Sequence, residues 1–299
     1  MIPRGTILAG TITVPDLADA IAAWRGVLGL LPCDEGVVDA GLAASWGAPA
    51  CAGRRFATLR PASGAPFRIR LVEQPAHPDF VPTTTYGWAA YELTVEDVFG
   101  WPRRLAGSAF EIIGPPRTIA NMEPAFIPMQ VLGPGREMVY LNEVVGTMPG
   151  FDLPRAACPV DKAFIVVLAA RDRAASVRWY VEALGLEESA TFTIPYTMIN
   201  RAFGLPADHQ TTLTMVASGT MPVVEVDDYP QGVAERPRHA GMLPPGNAMV
   251  TLAVPGLDDC RVEWLAEPAR RAGAPYEGRR AGTTRGLAGE LVELVEVGG

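Results

Sequence analysis

The sequence predicts an α+β fold of four βαβββ modules, paired into two open, cup-shaped sheets with their helices on the outside. Three observations lead to this prediction. The segment Gly286–Val297 has an earlier copy, Gly133–Val144, and the two agree at six of twelve ungapped positions. The order strand, helix, further strands occurs four times, and its first and third occurrences open alike. Because one βαβββ unit leaves a sheet face uncovered, two units side by side are expected to form a ligand-sized cup.

The first module contains a β-branched strand, a helix that Asp16 caps, and two strands joined at Ser63-Gly64. Its predicted elements are strand Thr6–Val14, helix Leu17–Leu28 ending at Gly29, a short helix near Leu42–Trp46, and strands Phe56–Arg60 and Phe67–Glu73.

The second module follows a Pro- and Thr-rich linker, Gln74–Gly87. Its predicted elements are strand Trp88–Val95, helix Glu96–Leu105, and strands Phe126–Val131 and Glu137–Val144. The Pro-rich segment Gly146–Pro159 then separates an N-terminal pair of modules, 1–147, from a C-terminal pair, 160–299. The module bounds are about 1–75, 86–147, 160–229 and 246–299.

The third and fourth modules repeat the scheme. Their predicted elements are strand Ala163–Ala170, helix Asp172–Leu184, a short helix within Tyr196–Phe203, strand Thr211–Val216, strand Ala248–Val254, helix Leu257–Ala272, and the final strand. Asp16 to Trp24 matches Asp172 to Tyr180, and the Ser-Gly turns of modules one and three align Arg70 with Glu225.

Composition limits the classes of partner. Of the 299 residues, 48% are hydrophobic and 19% are charged, so a well-filled core is expected and disorder is not. The net charge of −8 argues against nucleic acid as a partner. The sequence shows no signal peptide and no apolar run long enough for a membrane helix. With four widely spaced cysteines and no C-x-x-C, we expect a reduced, cytoplasmic protein. The expected partner is a small molecule and not a membrane, and the chain is expected to be a monomer or a homodimer.

The repeated segments resemble the vicinal oxygen chelate superfamily, which includes glyoxalase I, extradiol dioxygenases, methylmalonyl-CoA epimerase, and the fosfomycin and bleomycin resistance proteins. The residues that carry the resemblance are Thr11–Leu17 with Trp24 and Leu28-Gly29-Leu30, Arg171–Arg173 with Tyr180 and Leu184-Gly185-Leu186, Gly135 with Tyr140-Leu141, and Gly289 with Glu293-Leu294. The resemblance covers nearly the whole chain. It implies the fold but no single reaction, because the superfamily spans lyases, isomerases, transferases, dioxygenases and binding proteins.

The resemblance also implies where metal ligands would stand: a His before the Asp that follows the first strand of each module, and a Glu in the last strand. The His positions hold Ala9, Ala90, Ile165 and Met249, and the Glu positions hold Arg70, Tyr140, Glu225 and Glu293. Transition-metal sites normally need three or four N, O or S ligands. We therefore expect no metal and no other cofactor, with weak Mg²⁺ or Mn²⁺ binding at Glu225 and Glu293 as the alternative.

The candidate catalytic residues are Glu225, Glu293 and His209. A carboxyl group desolvated by apolar neighbours has a raised pKa and can transfer protons near neutral pH. The alternative is that the two glutamates are relics of a metal site, paired with Arg or solvated. His209 precedes a strand and is the one imidazole placed to reach a cup rim, although a surface position is equally consistent with its context.

The candidate substrate-binding residues surround the same cups: Arg70, Tyr140, Tyr196, Asn200, Arg201 and Met249. Arg70 and Tyr140 are suited to a carboxylate or phenolate. If modules one and four pair, rather than three and four, Arg70 and Glu293 share a cup and are expected to form a salt bridge. The first strands of the modules offer small or apolar residues, which suit an uncharged or aromatic ligand and not a phosphate.

Three functions remain open. The first hypothesis is a metal-independent isomerase or lyase that acts by acid/base chemistry on a small hydrophobic or aromatic molecule. The second is a metal-free small-molecule binding or resistance protein. The third is a metal-dependent dioxygenase or lyase with atypical ligands, and the missing histidines count against it.

Overall fold

Two eight-stranded sheets form the protein in the computed structural model, which describes residues 2–118, 124–230 and 232–298. The strands are β1 Ile7–Val14, β2 Leu31–Val37, β3 Arg55–Arg60, β4 Arg68–Glu73, β5 Gly87–Val95, β6 Glu111–Gly114, β7 Phe126–Leu132, β8 Met138–Val144, β9 Val160–Ala170, β10 Glu187–Pro195, β11 Gln210–Ser218, β12 Met221–Asp228, β13 Gly246–Val254, β14 Ala269–Arg270, β15 Arg280–Arg285 and β16 Leu291–Glu296.

The helices are short and few among the described residues. They are α1 Leu17–Gly26, α2 Ala40–Ser45, α3 Trp101–Leu105, α4 Arg173–Leu184 and α5 Thr197–Ala202, with 3-10 turns at Pro49–Cys51 and Val98–Gly100. No helix in the described part of the chain is long and apolar enough to cross a membrane.

The strand order shows which modules pair. One sheet runs β14-β15-β16-β13-β1-β4-β3-β2, so modules one and four form it; we call its concave face the first cup. The other runs β10-β11-β12-β9-β5-β8-β7-β6, so modules two and three form it; its concave face is the second cup. Each cup therefore takes one module from each half of the chain. The sequence left open which modules share a cup, and the pairing of modules one and four, considered there as one possibility, is the one observed.

The repeated helices begin at the predicted caps. The Asp16 side chain accepts a hydrogen bond from Asp19 N at 2.9 Å, and Asp172 accepts one from Ala175 N at 2.9 Å. Each satisfies a backbone donor that the first helical turn leaves free. The second of these helices, α4, ends at Gly185 with φ 65°, a left-handed conformation that glycine adopts without steric cost.

The helix predicted over Leu257–Ala272 is absent: this segment consists of turns and irregular backbone, and meets β15 through one bridge at Trp264 and the two-residue strand β14. Gly256 replaces the capping aspartate of modules one and three, and Pro268 cannot lie inside a helix without losing a hydrogen bond. Instead, Leu265 N donates to Thr283 O at 2.9 Å. Tertiary pairing has replaced the helix, so the fourth module departs from the βαβββ scheme.

One large apolar cluster includes residues of both sheets and of helices α1 and α4, and two smaller clusters lie beside it, one in each sheet. The sheets are joined by Tyr91 of β5. Its hydroxyl lies within hydrogen-bond distance of two carbonyl oxygens of the other sheet, Thr11 O at 2.8 Å and Met249 O at 2.9 Å. Trp88 Nε1 donates to Leu291 O at 2.8 Å. These contacts fix the two cups relative to each other.

Candidate functional site

The first cup is closed around a buried ion pair. Arg70 Nη2 on β4 lies 2.9 Å from Glu293 Oε2 on β16, and the two residues are each 1% exposed. Glu293 also accepts hydrogen bonds from Trp46 Nε1 at 2.8 Å, Thr251 Oγ1 at 2.7 Å and Tyr276 Oη at 2.7 Å. Both carboxylate oxygens are thus fully engaged by protein donors.

Arg70 is held just as completely. Its Nε and Nη2 lie 3.0 Å and 2.8 Å from Thr11 Oγ1, its Nη1 donates to Tyr276 Oη, and its guanidinium carbon lies 4.7 Å from the centre of the Trp46 ring. Burial alone would raise the pKa of Glu293, but Arg70 and the hydrogen-bond donors hold that pKa below its usual value. Glu293 is therefore a permanently ionised carboxylate inside the cup.

For Arg70 and Glu293 the alternative interpretation is the one observed, since modules one and four pair and the two residues form the salt bridge expected in that case. The other expectation, that Glu293 has a raised pKa and transfers protons, is wrong, because its pKa is lowered and its oxygens are occupied. Arg70 binds Glu293 and not a ligand. Met249 was expected to line an open cup, but it is 0% exposed and packed among apolar side chains.

The second cup contains a different carboxyl group, Glu225 of β12, which remains partly exposed. Tyr196, next to α5, donates its hydroxyl proton to Glu225 Oε1 at 3.0 Å. The hydroxyl of Tyr140 on β8 lies 3.3 Å from that of Tyr196. Two tyrosine hydroxyls and one carboxyl group therefore form a continuous chain.

Two further acidic side chains lie beside this chain. Asp227 is two residues from Glu225 along β12, on the same face of the strand, and among the described residues neither of its carboxyl oxygens has a hydrogen-bond donor. Glu92 of β5 accepts a hydrogen bond from Asn142 Nδ2 at 2.6 Å. Asp227 is 1% exposed and Glu92 is 4% exposed. Within the described ranges, none of these three carboxyl groups forms an ion pair with Lys, Arg or His.

This environment favours protonation. Burial raises the pKa of Glu225 to about 7, although the hydrogen bond from Tyr196 opposes the rise. Burial, with the nearby charge of Glu225, also raises the pKa values of Glu92 and Asp227 well above their usual range. Like charges this close cannot all ionise, so Glu225 and Asp227 titrate as a pair. The second cup can thus hold and exchange protons near neutral pH.

The walls of the second cup are largely apolar. Ile165, Leu213 and Met215 are buried on its concave side, with Phe192 and Met148 packed against them. On β11, Met215 lies opposite Glu225 and Leu213 lies opposite Asp227. A proton-exchanging group at an apolar wall is typical of a small-molecule site.

The architecture has clear counterparts among solved structures. Glyoxalase I from Zea mays is similar over 97% of this chain and 92% of its own, with a TM-score of 0.61 and 16% identity. A putative dioxygenase from Bacillus subtilis subsp. subtilis str. 168 is similar over 99% of this chain and 86% of its own, with a TM-score of 0.61 and 11% identity. The chain has the vicinal oxygen chelate fold. No protein-family model and no curated protein sequence matches it.

The vicinal oxygen chelate fold brings the predicted ligand positions together, one set in each cup. The first cup collects Ala9, Met249, Arg70 and Glu293; the second collects Ala90, Ile165, Tyr140 and Glu225. Glu225 and Glu293 therefore lie in separate cups. The two glutamates cannot act on one substrate as an acid/base pair, and they cannot bind one Mg²⁺ or Mn²⁺ ion between them.

The side chains present do not fit the superfamily's metal. Within the described ranges, no three His, Cys, Asp or Glu side chains are grouped to bind a metal ion. In the first cup, the guanidinium of Arg70 already neutralises the one carboxylate. In the second, Glu225 is the one carboxyl group at a ligand position, beside an alanine, an isoleucine and a tyrosine.

Three other predicted residues lie at the edge of the second cup. The short helix expected there is observed as α5, Thr197–Ala202. Asn200 is buried and donates to the carbonyl oxygens of Ala207 at 3.3 Å and His209 at 2.9 Å, so it holds a loop. Arg201 is exposed and donates to Ile113 O at 2.9 Å. His209 is exposed, so the expectation that it acts as a base in the cup is not supported by its position.

Several residues of the two networks were not among the predicted site residues. Asp227 could have been found, because strand alternation puts it on the same face as Glu225. Asn142 could have been found in the same way, because it lies on the same strand face as Tyr140. Tyr276 and Trp46, which both donate to Glu293, had no such signal.

Proposed function

We propose that the protein is a metal-independent enzyme that transfers protons on a small hydrophobic or aromatic molecule in the second cup, in an isomerase- or lyase-type reaction. The observation that carries the proposal is the hydrogen-bonded chain of Glu225, Tyr196 and Tyr140 beside the apolar cluster of Ile165, Leu213 and Met215. The vicinal oxygen chelate fold is compatible with this assignment but does not select it, because the fold supports several reactions.

Each group has a role that its chemistry allows. Glu225, with a pKa near 7, accepts a proton from a substrate carbon or oxygen. The hydroxyl of Tyr140 donates a hydrogen bond to a substrate oxygen as negative charge develops there, while Tyr196 keeps its hydrogen bond to Glu225. The apolar walls exclude water and hold the carbon skeleton.

The test begins with ligands found by thermal shift from a panel of small phenols and aromatic ketones. Each ligand is then incubated with enzyme in D₂O, and deuterium uptake or conversion is followed by NMR. E225Q keeps the size and hydrogen-bonding capacity of the side chain but cannot accept the proton. We expect it to fold, to bind the ligand, and to lose at least about 100-fold in rate.

A matched control is E182Q, which neutralises an exposed glutamate on α4 and should keep the wild-type rate. Wild-type turnover by E225Q would overturn the assignment of Glu225. Tight binding without exchange or conversion by the wild-type protein would instead favour the second function, a metal-free binding or resistance protein.

A further inference from the structure

A cavity of about 280 Å³ lies where the two sheets meet. Its walls come from the start of β5, the start of β13, the linker before β13, and the turn between β15 and β16. None of its lining residues belongs to the hydrogen-bond networks of Glu225 or Glu293. The cavity is therefore separate from both cups.

Three arginines converge on this cavity: Arg236, Arg238 and Arg285. Arg236 donates only to neutral oxygens, with Nε 3.0 Å from Thr85 Oγ1, Nη1 2.8 Å from Asn247 O and Nη2 2.7 Å from Trp88 O. Arg285 Nη1 donates to Gly289 O at 3.1 Å, and Arg238 is exposed at the rim. Each guanidinium has five N–H donors, so hydrogen-bonding capacity remains at all three.

The positive charge at the cavity is not balanced by the protein. Among the residues that the structure describes, none of the three arginines forms an ion pair with a carboxylate. Glu235 is engaged by Arg171. Glu290 accepts bonds from Tyr180 Oη and Ala288 N, and burial raises its pKa to about 7. A partly desolvated cation is costly without a counter-ion, so this arrangement favours an anion from solution.

The charge of the arginines limits the chemical class of the ligand. Burial lowers the pKa of Arg236 to about 10, so Arg236 is still a cation at neutral pH. Burial, and then the nearby charge of Arg238, lower the pKa of Arg285. Planar guanidinium groups bind carboxylates and phosphates through paired N–H donors. The volume lies just below the usual range of drug-sized ligand pockets, so it suits a small molecule.

We propose that this cavity, the arginine cavity, binds a small organic oxyanion through a carboxylate or phosphate group. Arg236 forms the fixed base of the site, since it is already tied to β5 and β13. Arg238 and Arg285 supply the free donors that meet the ligand. The site does not depend on the chemistry proposed for the second cup.

The proposal is tested by calorimetric titration of the wild-type protein at pH 7 and constant ionic strength with inorganic phosphate and, separately, with citrate. We expect saturable binding of at least one of them, and a rise of several degrees in Tm at about 100 times Kd. R238A and R285A should each weaken binding by about 10-fold or more, because each removes a charged donor. Tighter binding of citrate identifies a carboxylate ligand, and tighter binding of phosphate identifies a phosphate ligand.

The matched control is R178A, which removes an exposed arginine on α4, outside the cavity, and should bind within about twofold of wild type. Circular dichroism checks that each variant is folded, and the exposed position of Arg238 makes R238A the safer of the two. Absence of saturable binding to the wild type, or an equal loss of binding in R178A and R238A, would overturn the proposal.

Discussion

Arg70 and Glu293, 223 residues apart in the sequence, form a buried ion pair that connects the first module to the fourth. Both stand at positions where the resemblance to the vicinal oxygen chelate superfamily places a metal ligand. The guanidinium supplies the positive charge, and Thr251, Trp46 and Tyr276 supply the remaining donors. These two ligand positions of the first cup are thus part of the buried core.

Removing Arg70 should destabilise the fold strongly. R70M keeps much of the side-chain volume but leaves the Glu293 carboxylate buried without its cation, and breaking one partner of a buried pair costs about 3–5 kcal/mol. Urea unfolding measures this loss. R70M/E293Q should recover part of it, because the glutamine carries no charge and still accepts hydrogen bonds.

The matched control for R70M is R55A, which removes an exposed arginine paired with Glu73. Surface pairs contribute about 0–1 kcal/mol, so R55A should be nearly neutral. Equal losses in R70M and R55A would show that the Arg70–Glu293 pair contributes no more than a surface contact.

Tyr196 should set the pH at which Glu225 ionises. The hydroxyl of Tyr196 hydrogen-bonds to the Glu225 carboxylate and so lowers a pKa that burial has raised to about 7. Y196F removes this bond, and the pKa of Glu225 should rise further. If Glu225 is the base, kcat/KM of the reaction in the second cup increases with pH through about 7, and Y196F moves this increase to higher pH.

Y229F is the control for Y196F, because Tyr229 is also a buried tyrosine but donates no hydrogen bond to Glu225. The dependence of kcat/KM on pH should be the same for Y229F and the wild type. If the increase of kcat/KM with pH stays in place in Y196F, or moves to lower pH, the role given to the hydrogen bond from Tyr196 to Glu225 is contradicted.

The repeated modules, and hence the fold, could be predicted because local signals agree with each other. Alternation of apolar residues identified β8 and β16, and the caps Asp16 and Asp172 identified α1 and α4. The pairing of modules could not be predicted, since βαβββ units with the same apolar faces can pair in more than one way. The helix predicted at Leu257–Ala272 failed because pairing with β15 outweighed helical propensity.

Predictions for the candidate site were limited by contacts distant in sequence. Strand alternation placed Glu225 in a cup, but the salt bridge of Glu293 with Arg70 depended on which modules pair, and no local signal decides that. The pKa of a buried carboxyl group depends on which donors reach it, and these come from other modules. Burial therefore raises the pKa of Glu225, whereas Arg70 and the other donors lower that of Glu293.

Glu137 should make the fold less stable as pH rises. Its Oε1 accepts a hydrogen bond from Trp24 Nε1 at 3.0 Å, and burial raises its pKa from an ordinary 4.5 to about 7. The folded chain therefore binds a proton more tightly than the unfolded chain. This contribution is complete below about pH 4.5 and is lost as pH rises through 7. In E137Q, the free energy of unfolding should fall less steeply with pH, by up to about 1.4 kcal/mol per pH unit. Urea unfolding between pH 5 and 8 measures this slope.

An exposed glutamate gives the comparison for E137Q. E182Q, on the surface of α4, should leave the pH dependence of the unfolding free energy as it is in the wild type. If the free energies of unfolding of E137Q and the wild type fall equally with pH, Glu137 is already ionised in the folded protein at the lower pH, which contradicts the prediction. Glu290, bonded to Tyr180 in the matching position of the repeat, should behave as Glu137 does.

Gly10 should be needed for the joint between the sheets. A Cβ added at this position would lie 2.6 Å from two ring carbons of Tyr91, whose hydroxyl is held by two carbonyl oxygens of the other sheet. Because the ring cannot move without losing these bonds, G10A should cost about 1–3 kcal/mol in urea unfolding.

G26A is the matched control: no atom lies within 4 Å of a Cβ there, so alanine should be neutral or stabilise the end of α1 by up to about 1 kcal/mol. A wild-type stability for G10A would mean that the sheets can shift past each other, and that Tyr91 does not fix the positions of the cups.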